Sequence, residues 1–126
     1  MQIDLEYDAE KKILRVLLAG KVDLNDFERG MNDIVDSPSF PPTVSTIWDL
    51  RQIDFTELDN QLGEDIAAIR NRFPQRTGAR VAFVVNSELG FGKMRMLEFL
   101  IGNHEANSQV FYDYTEAQEW LLKNDS

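Results

Sequence analysis

The stretch with the most obvious chemical content is residues 86–105, NSELGFGKMRMLEFLIGNHE. It places Gly90 and Gly92 before Lys93 and Arg95, a spacing that suggests phosphate binding. The nucleotide-cradling loop is G-x-x-x-x-G-K-[ST], whose last hydroxyl holds magnesium. Here the first glycine is replaced by Ser87, and Met94 follows the lysine. The dinucleotide pattern G-x-G-x-x-G also fails, because its third glycine falls on Arg95. His104 is the only histidine, and there is no cysteine. A metal site or thiol chemistry is therefore not expected. On a helical wheel His104 lies among Met96, Leu97, Leu100 and Ile101, the pattern of a partly buried structural histidine. No serine stands in a G-x-S-x-G elbow. The acidic run DFTELDNQLGED puts Leu58 and Asp59 where a calcium loop needs an oxygen ligand and then glycine. Paired carboxylates arise by chance in so acidic a chain. The expectation is a protein that is not an enzyme and carries no cofactor and no metal.

Two segments remain as candidate binding surfaces. WDLRQIDFTELDN runs from a strand through a loop into a helix, where ligands and partners meet parallel sheets. It contributes Asp49, Arg51, Thr56 and Asp59. A local ion pair and an ordinary cap account for the same residues. The second segment is the helix expected over residues 88–105. At 100° per residue, Met94, Met96, Leu97, Phe99, Leu100 and Ile101 cover roughly 220° of its surface, wider than the ~100° a surface helix needs. Arg95, Glu98, Gly102 and Glu105 share the remaining face. Either the helix is deeply buried, or it presents a Met- and Phe-rich surface to a partner or an apolar ligand. Gly90 and Gly92 lie at its start, where free N–H groups beside Arg95 would suit an anion.

The elements that position these residues follow from periodicity. IDLEYD and ILRVLLAG read as a hairpin. Asp23 caps a helix carrying Leu24, Phe27, Met31, Ile34 and Val35 on one face. The prolines of SPSFPPT end it. VSTIWDL is a third strand. Thr56 is placed as the cap of a second helix with Leu58, Leu62, Ile66, Ile69 and Phe73, ending at Pro74. RVAFVV has the continuous apolar pattern of a central strand. QVFYDY is the last strand, and Thr115 with Gln118 forms a capping box for a final helix. The order β-β-α-β-α-β-α-β-α implies an α/β fold, with a mostly parallel sheet of about five strands, an N-terminal hairpin and four helices.

The chain has 126 residues, a length suited to one domain over residues 1–126. Its net charge is −9, which argues against nucleic acid and anionic membranes. MQIDLEYDAE lacks the features of a signal peptide, and no apolar run is long enough to span a bilayer. The expectation is a cytoplasmic protein without membrane insertion. The broad apolar arc leans toward a homodimer.

The element order, with WDLRQIDFT, RVAFVV, FGKMRMLE and VFYDYTEAQEWL, resembles the STAS-like fold of anti-sigma-factor antagonists and of sulfate-transporter cytoplasmic domains. More closely, it resembles small bacterial SpoIIAA-like proteins, in which a strand ends W-D-L-R and a helix begins F-G-x-x-R-M. In the antagonists a D-S-S-G-like motif opens the helix after the third strand, and a kinase phosphorylates its serine. That motif falls here on residues 57–60, with Asp59 in place of the serine. The resemblance implies a regulatory protein-interaction module with a partner surface around Asp49, Arg51, Thr56 and Asp59 and around Phe91, Gly92, Arg95, Met96 and Phe99. STAS-like folds also look like lipid-transfer folds of the SEC14 type, which implies the alternative of a small apolar or anionic ligand near the third helix.

Overall fold

A computed structural model describes residues 1–37, 44–72, 80–101 and 107–123. Nine elements follow in the order expected from the sequence: β1 (Gln2–Asp8), β2 (Ile13–Lys21), α1 (Leu24–Asp36), β3 (Ser45–Asp54), α2 (Asn60–Asn71), β4 (Val81–Val84), α3 (Glu88–Ile101), β5 (Ser108–Phe111) and α4 (Tyr114–Leu122). The strands form one sheet in sequential order. β1 and β2 are antiparallel, and every later pair is parallel.

This order explains the layers. Each parallel crossover steps to the next strand in the same direction, and crossovers are right-handed. α1, α2 and α3 therefore share one face of the sheet. Under them lie Leu14 and Val16 of β2, Phe83 of β4, Ile34 of α1, Ile66 of α2, and Met94 and Leu97 of α3. α4 comes last and covers the other face, where Ala117 and Leu121 pack on Ile13, Ile47, Ala82 and Val84. β4 is buried along its whole length, as its unbroken apolar pattern requires.

Three departures from the sequence reading bear on the site. β3 does not stop at Leu50 but continues to Asp54. It carries one extra residue against β2, since Leu17 faces Asp49 while Ala19 faces Gln52. Such a bulge re-aims side chains, and Arg51 and Gln52 are consecutively exposed between buried Leu50 and Ile53. Thr56 is not the cap of α2. Its N–H and hydroxyl both donate to Asp54 Oδ1, at 3.0 and 2.6 Å, and the cap is Asp59, which accepts from Leu62 N–H at 2.8 Å. Likewise Asp113, not Thr115, caps α4 and accepts from Glu116 N–H. The Asp23 cap of α1 is as expected, although Val35 is 44% exposed and stands off the buried face. Phe73, Pro74, Gly102, His104 and Glu105 lie outside the described residues.

Candidate functional site

The residues expected at the end of the third strand separate onto the two faces of the sheet. Asp49 lies beside Leu17 and Val84, on the α4 side. Arg51 grips it with two hydrogen bonds, Nε to Oδ1 at 2.8 Å and a terminal nitrogen to Oδ2 at 2.7 Å. The Arg51 guanidinium sits 5.0 Å from the centre of the Tyr114 ring. Arg15 donates to the Tyr114 hydroxyl at 2.8 Å and to Asp8 at 3.2 Å. Asn86 at the end of β4 donates to the Arg51 carbonyl at 2.8 Å. Burial opposes the Asp49 charge, but the hydrogen bonds and charge of Arg51 outweigh it and hold the carboxyl below its ordinary range. Each cation here already has an anion and an aromatic ring. The cluster ties β2, β3 and α4 together.

On the opposite side, the wide apolar arc of α3 divides in two. Met94 and Leu97 are buried and Leu100 is half-buried, a stripe of roughly 120° at 100° per residue. Met96 and Phe99 lie outside it and are 41% and 84% exposed. Of the two readings, deep burial is excluded for this half of the helix. Beside it runs a shallow seam between α2 and α3, lined by Leu58, Asp59, Gly63, Lys93, Met96, Leu97 and Leu100. A Cβ on Gly63 would lie 3.8 Å from Leu100, an ordinary van der Waals contact across the seam. The structure thus brings Asp59 and Met96, expected from separate segments, to one surface. It adds Lys93, which the sequence reading weighed only as part of a phosphate loop.

Other candidates fall elsewhere. Phe91 turns away from this surface and stacks on Tyr112, with ring centres 4.9 Å apart. Arg95 pairs with Glu98 of the next turn at 3.6 Å. The anion site expected at Gly90 and Gly92 is not built. Ser87 Oγ accepts the Gly90 N–H at 3.0 Å, and the Ser87 carbonyl accepts that of Phe91. Glu88 places a carboxylate in the first turn, which repels an anion. Gly92 lies one turn further on, where N–H groups bond within the helix.

Beneath α1, α2 and α3 lies a cavity of about 100 Å³, partly open to solvent. Its wall includes Met31 and Ile34 of α1, Trp48 of β3, Ile66 of α2, Phe83 of β4 and Met94 of α3. Thr46 and Arg70 are its polar members, and Thr46 is the one contributed by the sheet. It pairs in register with Leu14 and Val81, so it faces the three-helix layer. It is 2% exposed, and its hydroxyl has no hydrogen-bond partner among the described residues. A buried hydroxyl without a partner costs ~1–3 kcal/mol. The sequence reading missed this site. The one available signal was a threonine at an inward position of VSTIWDL.

Among the described residues no group of three or more His, Asp or Glu could hold a metal. No helix among them is long and apolar enough to cross a membrane. No protein-family model matches the chain, and no curated protein matches it. The crystal structure of an uncharacterized protein from the DUF3478 family with a SpoIIAA-like fold, from Shewanella loihica PV-4, is similar along nearly the whole chain. The TM-score is 0.63 at 17% identity, covering 95% of this chain and 92% of that one. The agreement in architecture at so low an identity identifies the fold: this chain has a SpoIIAA-like α/β fold.

Proposed function

We propose that this chain is a non-catalytic cytoplasmic module that binds a protein partner through the exposed face of α3 and the adjoining α2–α3 seam. The observation that carries the reading is Phe99, an aromatic side chain 84% exposed on a helix whose inner face is already satisfied by the core. Exposed aromatic and methionine side chains are the usual anchors of interfaces. The N-terminus of α2, where the resemblance puts the regulated loop, meets Met96 along the seam through Asp59, and Phe99 stands on the exposed face of α3 beside it. Its side chain works as a helix cap and carries no hydroxyl to phosphorylate.

The test is native mass spectrometry of the protein isolated gently from its host, beside the Met96→Ala/Phe99→Ala variant. Wild type is expected to carry a second polypeptide that the variant loses. Retention of the same polypeptide by a folded variant would remove the seam from the interface. A second reading, binding of a small ligand, is favoured by the cavity beneath the three helices.

A further inference from the structure

We infer that the cavity beneath α1–α3 binds a small, uncharged, largely apolar molecule that makes one hydrogen bond to Thr46 Oγ1. The inference rests on the ligand-binding reading and is independent of the α2–α3 seam. Three observations meet at this point. The cavity measures about 100 Å³ and is walled by aliphatic, aromatic and methionine side chains. Its polar contribution from the sheet is Thr46, a 2%-exposed side chain whose hydroxyl is unpartnered among the described residues. The register with Leu14 and Val81 points that side chain to the helix layer.

Alternative occupants fit less well. A buried water needs about two to four polar partners. Among the described residues Thr46 supplies one, and the only other polar side chain of the wall is Arg70. A purely structural role is better filled by valine, which has the same branching and no polar atom to bury. An apolar cavity of about 150 Å³ admits benzene. Two-thirds of that volume suits roughly four to six heavy atoms, with any remainder projecting through the opening. A charged group would have to shed its hydration against an apolar wall. The ligand class is therefore a short aliphatic or small cyclic molecule bearing one hydroxyl, carbonyl or ether oxygen.

The methionines provide the test. Met31 and Met94 line the cavity, whereas Met96 lies on the seam. Carbon-13 methyl spectra of the full chain are recorded during titration with 1-butanol, n-pentane and butyrate. Butanol and pentane are expected to shift Met31 and Met94 and to leave Met96 in place, while butyrate shifts neither cavity methyl. Thr46→Val preserves the β-branched shape. It is expected to weaken butanol roughly ten-fold, the effect of one lost hydrogen bond, while pentane binds at least as well as before. If neither butanol nor pentane shifts Met31 and Met94, the ligand-binding reading itself falls. If pentane binds but butanol is indifferent to Thr46→Val, the cavity is a site and Thr46 is not its anchor. Tighter binding of butyrate than of butanol would overturn the uncharged class.

Discussion

Gly90 and Gly92 stand two residues apart in α3 but answer to different constraints. A Cβ on Gly90 would lie 2.9 Å from the Phe55 ring, whereas one on Gly92 would meet nothing within 4 Å. Gly92→Ala is therefore expected to raise stability by about 0.5–1 kcal/mol, the usual gain from removing an exposed helical glycine. Gly90→Ala is expected to lower stability, by about 1–3 kcal/mol for forced overpacking. Urea unfolding of both variants checks the pair. Asp49 sets a second residue-scale expectation. Its folded pKa lies below the ordinary carboxylate value because of Arg51. The stabilisation is thus complete above about pH 4 and is lost as pH falls through the lower folded value. Asp49→Asn should cost about 1 kcal/mol at pH 7, a value discounted for the exposure of Arg51, and the gap from wild type should close in strong acid. A gap that stays constant with pH would mean that the ion pair is not its source.

At the scale of the element, patterns that use a single chain segment were legible and patterns that choose between neighbours were not. Every strand and helix could be read because each carries its own period. The Asp23 cap could also be read, since it directly precedes Leu24, the first apolar residue of the helix face. Thr56 and Thr115 were misplaced because an aspartate lies close to each. The choice is made by which residue holds extended backbone at the helix start, as Asp59 does at φ −86°, ψ −179° and Asp113 at φ −114°, ψ 123°. The α3 arc was visible as too wide, yet only the packed sheet shows which part is buried. Asp59 now has two separable roles. Asp59→Ala should cost about 1 kcal/mol through the lost cap. Asp59→Asn keeps the cap and removes the charge, so it should melt as wild type while weakening partner binding several-fold. Unchanged binding in Asp59→Asn would confine Asp59 to capping.

For the whole molecule, alternation of strands and helices implied a mostly parallel sheet, and the fold is similar to that of the SpoIIAA-like structure at 17% identity. The binding features were less accessible because each is assembled from distant segments. The seam joins residues 58–63 to residues 93–100. The cavity wall runs from Met1 to Leu97. No local spacing rule spans such distances, and Asp49 and Arg51, close in sequence to Asp59, sit across the sheet from it.

The central claim is that the α2–α3 surface is where this protein meets its partner. The most direct measurement is site-specific photo-crosslinking in the host cell, with a benzoylphenylalanine probe at Phe99 and, as control, at exposed Gln2 on β1. The account predicts one discrete adduct from the Phe99 probe and none from the Gln2 probe, and Asp59→Asn should reduce its yield. No adduct from the Phe99 probe, or the same adduct from both positions, would contradict it.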